Sequence, residues 1–307
     1  MLEYLAKRLL IVVPTLFVIV TLAFFMIRVA PGGPFDGERR LPPDVEANLL
    51  RAYKLDLPLH EQYLDYLGML AHGDLGPSFR QKDFTVNELI AAGFPVSLRV
   101  GALAMMMALL GGVAAGAWAG FYHHSRVDHV VMAAAMTGLA LPPFVVGPLL
   151  ALVFGVYLRW LPVAGWGGGA LPNLLLPAIA LGLPYLAAIA RLTRGSMIEI
   201  LQSHYIRTAR AKGLSETRVV LVHALPAAIV PVVSFLGPAT TAVITGSVVI
   251  EQIFDLPGIG RYFVQGALAR DYTLVMGVVI VYATFIIALN LVIDLLYAKL
   301  DPRVSYQ

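Results

Sequence analysis

Ser203-His-Tyr-Ile-Arg-Thr-Ala-Arg-Ala-Lys-Gly-Leu-Ser-Glu-Thr-Arg-Val-Val-Leu-Val-His-Ala-Leu-Pro226 is a polar, basic interval with long apolar stretches on either side. Tyr205 to Lys212 reads as a short helix, with Ser203 as its cap and Gly213 offering the left-handed conformation that stops it. Arg207, Arg210 and Lys212 gather toward its last turn, where cations favour the helix dipole. Thr208, Ala209 and Ala211 are small, so another protein's surface can approach the backbone between the charges. A second helix is expected from Ser215 until Pro226, which cannot continue it. Together they make a helix-turn-helix knob beside a membrane.

The membrane is implied by composition. Of 307 residues, 59% are hydrophobic and 13% charged, and the mean hydropathy of +0.78 is that of a chain solvated largely by lipid. There is no cysteine, which excludes disulfides, thiolate metal sites and cysteine nucleophiles. The net charge of +3 is uneven: Pro31 to Phe94 holds six basic and ten acidic residues, and the rest of the chain is basic. Those basic residues flank apolar spans and carry no nucleic-acid motif, so nucleic acid is not an expected partner.

A bilayer crossing needs about twenty apolar residues, and six segments meet or approach that length. The first is Leu9 to Ile27, preceded by Lys7 and Arg8; it is too long for a signal-peptide core and no small-x-small cleavage site follows. The second runs from about Pro95 to Gly120, with Gly112, Gly116 and Gly120 either marking a close helix contact or scattered as glycines commonly are in membrane helices. The third, about Val130 to Phe154, is interrupted by Pro142-Pro143, and the fourth, about Asn173 to Ala190, is short, contains Pro177 and Pro184, and exits at Arg191 and Arg194. The fifth covers about Ile229 to Ile250 and the sixth about Leu274 to Leu296. The expected fold class is an all-α polytopic membrane protein with six transmembrane helices.

Between the first two spans, one short helix is expected after Asp44. A second uses Leu59, Tyr63, Leu67 and Leu70 as its apolar stripe and ends at Gly73, and Thr85 to Glu88 reads as a capping box. The loop His123-His-Ser-Arg126-Val-Asp128-His129 lacks a complete ligand set at metal-binding spacing and reads as an interfacial turn. Trp160, Trp166 and Gly167-Gly-Gly169 suggest a loop anchored by interfacial aromatics. Glu251, Asp255, Pro257, Gly258 and Gly260 follow the fifth span and read as broken helix that lines a gate or pore, or as an ordinary external turn.

Eleven basic residues fall on one side of this topology: Lys7, Arg8, Arg126, the six from Arg191 to Arg218, Lys299 and Arg303. The opposite short loops hold Arg159, Arg261 and Arg270, so the positive-inside rule places both termini and the knob in the cytoplasm. No phosphate-binding Gly-x-x-x-x-Gly-Lys loop and no nucleophile elbow occurs, so neither ATP binding nor catalysis is expected of this chain. An ion-coupled secondary transporter is the alternative class. The mid-membrane positions hold almost no charge for such coupling, since Arg28, Arg99, Glu251 and Asp294 lie near span ends.

Arg207-Thr-Ala-Arg-Ala-Lys-Gly213, nine residues, then His223-Ala-Leu-Pro226 resembles the cytoplasmic loop of type I ABC-importer permeases, whose general pattern is Glu-Ala-Ala, three residues, Gly, nine residues, Ile-x-Leu-Pro. Arg207 and Thr208 replace Glu and Ala and His223 replaces Ile, as is common in the peptide and nickel branch. Ala30-Pro-Gly-Gly-Pro-Phe35, Leu41-Pro-Pro43, His72-Gly-Asp-Leu-Gly-Pro-Ser-Phe79 and Thr193-Arg-Gly-Ser-Met-Ile-Glu199 narrow the likeness to the B subunits of oligopeptide permeases. The resemblance implies a first transmembrane helix over 1–30, an external segment over 31–93, an importer core over 94–293 that contains the loop 203–226, and a tail over 294–307.

It further implies that Arg207, Thr208, Ala209, Arg210, Ala211, Lys212 and Gly213 dock an ATPase. The implied assembly pairs this chain with a second, related permease, two cytosolic ATPases that bind the ATP and Mg, and an extracytoplasmic peptide-binding protein in the bacterial cytoplasmic (inner) membrane. This chain would bind no cofactor of its own. Within the same branch, a dipeptide or nickel importer is the alternative.

Overall fold

The computed structural model describes residues 2–29, 32–35, 42–81 and 83–300, with the backbone alone for 2–9 and 294–300. Ala30, Pro31, Leu41 and Arg303, and the side chains of Lys7, Arg8, Asp294 and Lys299, lie outside the described residues.

The first helix, α1, is Leu2–Val29, and its residues Leu10–Val29 have a mean hydropathy of 2.8. Two short helices follow, α2 (Pro43–Ala52) and α3 (Leu59–Ala71), each opened by a proline whose fixed φ suits a first turn. Gly73, at φ +75°, lies just beyond the end of α3 as expected. The helix opened by the capping box and the second span are one element, α4 (Val86–Phe121), continuous through Pro95. At 36 residues α4 is about 54 Å long, more than the bilayer's hydrocarbon needs.

The third span is bent. Helices α5 (Arg126–Ala140) and α6 (Pro143–Leu150) meet at 106°, and α6 runs on as a π-helix from Ala151 to Tyr157. Pro142-Pro143 is the cause: Leu141 is driven to an extended ψ of 120° ahead of the first proline, and two backbone donors are missing from the next turn.

The fourth span corrects the sequence expectation in the other direction. Helix α7 (Leu171–Leu201) absorbs Pro177 and Pro184 and runs past Arg191 and Arg194, for 31 residues. After it come α8 (His204–Ala211), α9 (Glu216–Arg218), a π-helix from Val219 to Ala224, and α10 (Leu225–Ala228). The last elements are α11 (Val230–Ile253), α12 (Ile259–Ala269) and α13 (Tyr272–Leu300). Among the described residues five helices are long and apolar enough to cross a membrane, and the count is six when the bent pair is taken as one span.

The described residues form two compact units, one of 2–95 with 257–288 and the other of 96–256 with 289–300. In the first, Val20 and Phe24 of α1, Tyr66 of α3, Val86 and Ile90 of α4, Ile259 of α12 and Met276 of α13 share one core. The segment His72 to Phe79 is fastened there by Asp271, which is fully buried. Asp271 accepts from Ser78 Oγ at 2.5 Å, and caps α13 by accepting from the Leu274 amide at 3.2 Å. Thr273 Oγ1 donates to the Pro77 carbonyl at 2.5 Å. The capping box forms as read: the Thr85 amide donates to Glu88 Oε2 at 2.8 Å and the Glu88 amide to Thr85 Oγ1 at 3.3 Å.

The second unit is built around α7. Gly112, Gly116 and Gly120 are a contact face, not scattered residues. A Cβ on Gly112 would lie 2.8 Å from the Leu186 carbonyl oxygen, one on Gly116 2.7 Å from Thr193 Cβ, and one on Gly120 2.6 Å from Met197 Cβ. Only hydrogen at these positions lets the two backbones approach so closely.

Candidate coupling site

Chain polarity builds the knob. Helix α8 has Ile206 and Ala209 on one face, three residues apart, and both are buried. They pack with Met197 of α7, Val219 and Ala224 of the π-helix, and Ala228 of α10. The opposite face carries Arg207, Thr208, Arg210, Ala211 and Lys212, all exposed, as is Gly213. Of the seven residues expected to form a docking surface, six are exposed; Ala209 faces the chain's own core because its spacing from Ile206 puts it on the apolar stripe.

Gly213 ends α8 at φ +78°. The Gly213 amide donates to the Arg210 carbonyl at 2.9 Å and the Leu214 amide to the Ala209 carbonyl at 3.4 Å, which is the paired bonding of a Schellman turn. Leu214 then packs against the same small core as Ala209. Ser203 occupies the position before α8, but its hydroxyl donates backward to the Ile200 carbonyl at 2.6 Å and does not cap the helix.

The turn after Gly213 is clamped by charge. Arg210 Nε and Nη2 donate to Glu216 Oε1 and Oε2 at 2.8 and 3.0 Å, a two-pronged pair that joins α8 to α9. The hydrogen bond from Arg210 holds the Glu216 carboxyl below its ordinary range, and the same contact raises the Arg210 guanidinium. Arg210 is therefore engaged within the knob, whereas Arg207 and Lys212 have no ion-pair partner among the described residues. Arg210 lies in the last turn of α8, Lys212 is its C-cap and Arg207 belongs to its first half, so the three cations are more spread than the sequence suggested.

Pro226 does not stop the second helix. The wide turns from Val219 to Ala224 shift the carbonyl register ahead of it, and Pro226 then falls in the first turn of α10, where an amide hydrogen is not required. The polypeptide thus passes from the knob into α11 through nearly continuous helix.

One element of the site was missed in the sequence. Asp128, 2% exposed at the start of α5, receives two hydrogen bonds from Arg194 of α7, Nε to Oδ1 at 2.5 Å and Nη2 to Oδ2 at 2.7 Å. The His124 amide donates to the same carboxylate at 3.1 Å, and His123 Nδ1 lies 3.5 Å from it. Arg194 is one turn before Met197, which floors α8. The pair therefore locks the loop after α4 to the helix that carries the knob. The available signal was a lone acid in a basic loop, but sequence spacing does not identify a partner 66 residues away.

The residues after the fifth span divide between the two units. Glu251 is fully buried near the end of α11 and accepts from Ser247 Oγ at 2.7 Å. Asp255 adopts a left-handed φ of +50°, and the Leu256 amide closes on the Glu251 carbonyl at 2.9 Å. Gly258 is the N-cap of α12 and Gly260 is buried in its first turn, with Pro257 just before them. The stretch is thus a helix stop followed by an 11-residue helix, which the sequence reading did not anticipate.

Comparison with known proteins agrees with this architecture. The family model described as "Binding-protein-dependent transport system inner membrane component" matches residues 112–306. The oligopeptide transport system permease protein OppB of Salmonella typhimurium is 53% identical over 306 residues, covering 100% of both chains. Its namesake in Haemophilus influenzae is 50% identical at the same coverage. The dipeptide transport system permease protein DppB of Bacillus subtilis is 40% identical over 305 residues, covering 99% of this chain and 98% of the relative. A crystal structure of an amino acid ABC transporter with histidines superposes with a TM-score of 0.53 at 17% identity, covering 69% of this chain and 94% of that one, a likeness of fold.

Proposed function

The chain belongs to the family of binding-protein-dependent transport system inner membrane components, and from that premise we propose that it is the permease subunit of an ATP-driven importer of oligopeptides. The observation that carries the proposal is α8: an exposed, basic helix on a short apolar floor, set by short turns between α7 and the helical run that leads into α11. The oligopeptide permeases are about half identical to this chain along its whole length, while the dipeptide permease of Bacillus subtilis is 40% identical. That difference favours the longer substrates.

On this reading a second permease of the same family completes the pore, two cytosolic ATPases bind ATP and Mg, and a binding protein delivers peptide from outside. Both termini and α8 face the cytoplasm. Arg207, Thr208, Ala211 and Lys212 contact an ATPase, and Gly213 with the Arg210–Glu216 pair keeps that surface in one shape. Closure of the ATPases moves α8, and the Ile206 and Ala209 contacts pass the displacement to α7 and, through the π-helix and α10, to α11. Binding energy shifts the spans only as far as the two conformations differ in affinity for the ATPases, so a loose knob would waste the stroke. Glu251, Asp255, Pro257, Gly258 and Gly260 belong to the gate or pore.

The test is to solubilise tagged protein from its native membrane, identify what co-purifies by mass spectrometry, and reconstitute the assembly for ATP-dependent peptide uptake. Recovery of a related permease and two ATPases, with peptide uptake that requires ATP, is the expected result. A chain that purifies alone under conditions that preserve other ABC complexes would overturn the assignment.

A further inference from the structure

The unit formed by 2–95 with 257–288 contains a cavity of about 210 Å³ that the coupling scheme does not use. Tyr53, Tyr66, Met69 and Phe79 supply apolar wall, and Arg28, from the last turn of α1, lines it as well. Lys54 and Asp65 are also at this cavity, but they neutralise each other at 2.6 Å.

The Arg28 guanidinium is held from two directions. Its central carbon lies 3.8 Å from the centroid of the Phe24 ring, a stacking arrangement that fixes the plane. Its Nε donates to Gln62 Oε1 at 3.0 Å. Gln62 cannot turn away, because its own amide nitrogen donates to the Leu55 and Leu57 carbonyls at 3.1 and 2.8 Å.

This arrangement uses one edge of the guanidinium and no negative charge. Among the described residues no carboxylate lies within ion-pair distance of Arg28. Arg28 is partly buried, and a cation partly withdrawn from water without a counter-charge is costly to keep unless something supplies one. Tyr66 poses the same problem in neutral form: it is 6% exposed, lines the same cavity, and its buried hydroxyl has no hydrogen-bond partner among the described residues. Burial raises its pKa, so the hydroxyl remains protonated and can donate.

We infer that this cavity is a carboxylate site, in which Arg28 offers a planar charged edge and Tyr66 a hydroxyl donor, and that it receives the C-terminal carboxylate of a passing peptide. The inference rests on the peptide-import reading. A planar pair of oxygens matches a guanidinium edge, and the aromatic wall suits the apolar part of a terminal residue. Peptides differ in every side chain but share that carboxylate, so a site that reads it alone serves a substrate of variable sequence. The rest of the peptide stays outside a cavity of this size.

The experiment compares trialanine with trialanine C-terminal amide in proteoliposomes containing the complete complex, with the peptide-binding protein limiting. The ratio of acid to amide uptake is measured for wild type, Arg28→Gln and Tyr66→Phe. Any preference of the binding protein cancels, because the same protein serves all three. Arg28→Gln is expected to lower the ratio about tenfold, the worth of one charge-assisted hydrogen bond, and Tyr66→Phe severalfold in the same direction, with amide uptake falling less than acid uptake. Equal loss of both probes, or an unchanged ratio in Tyr66→Phe, would overturn the inference and leave these residues as packing. If the wild-type complex moves neither probe, the peptide-import reading itself fails.

Discussion

Replacing Gly213 separates backbone torsion from side-chain bulk as the requirement at the candidate coupling site. Gly213 sits at φ +78°, and a Cβ placed there would meet nothing within 4 Å. The cost of a substitution is therefore torsional. For an alanine in left-handed conformation it is about 1 kcal/mol, rising toward about 2 kcal/mol for a β-branched valine, while asparagine tolerates that region and costs least. A penalty of ~2 kcal/mol is roughly a thirtyfold change in an equilibrium. The Schellman bonds from Gly213 and Leu214 hold the end of α8, so that penalty falls on the shape of the docking surface. The assay is the number of ATP molecules hydrolysed per peptide imported by the reconstituted complex, with membrane insertion checked in parallel. The expected order of coupling is Gly, Asn, Ala, Val, with insertion normal throughout. Asparagine is larger than alanine, so a result in which Asn is as harmful as Val would refute the torsional argument. So would a Gly213→Val complex with wild-type coupling.

Three other predictions follow from contacts in the same unit. Asp128→Asn leaves the Arg194 guanidinium without its counter-charge and is expected to cost about 3 kcal/mol of stability, read as a lower unfolding temperature in detergent; adding Arg194→Gln should restore part of the loss, and additive losses would count against a coupled pair. The Glu216 carboxyl titrates lower in the folded knob than in an unfolded chain, so its pairing with Arg210 stabilises above the ordinary glutamate value of 4.5 and is lost as pH falls through the lower folded value. Hydrogen exchange across residues 209–214, corrected for intrinsic rates, should show that acid loosening in wild type and no such step in Glu216→Gln. Gly116→Ala drives a methyl group into Ala190 and Thr193 and should reduce folded yield in detergent, whereas Gly195→Ala, in open space on α7, should be neutral or stabilising by up to about 1 kcal/mol. Equal behaviour of the two glycines would contradict the close helix contact.

The sequence and structure diverge at positions with one physical character in common. Pro226 reads as the end of a helix, yet helix continues through it, as it does through Pro95, Pro177 and Pro184. Among the described residues, it is at Pro142-Pro143, where two amides are lost together, that a span bends by 106°. A proline's local penalty is the same at each site; whether it breaks the helix depends on what the neighbouring turns and helices can satisfy. Ala209 has the same lesson at smaller scale. Its size and its place among cations suggested a docking residue, and its position three residues after Ile206 put it in the core.

The sequence alone determined the membrane class, the six apolar segments, the capping box at Thr85, the left-handed stop at Gly213 and the place of the knob between the fourth and fifth spans. These depend on hydrophobic length and on backbone preferences within a few residues, which composition and spacing report directly. Only the tertiary structure decided that Asp128 pairs with Arg194, that Asp271 fastens the segment ending at Phe79, that the glycines of α4 lie against α7, and that Arg28 stands at a cavity with no carboxylate in ion-pair reach among the described residues. Each of these is set by which helices meet, and in lipid many apolar faces could meet; the choice is made by a few buried polar groups and small residues whose partners are far away in the chain.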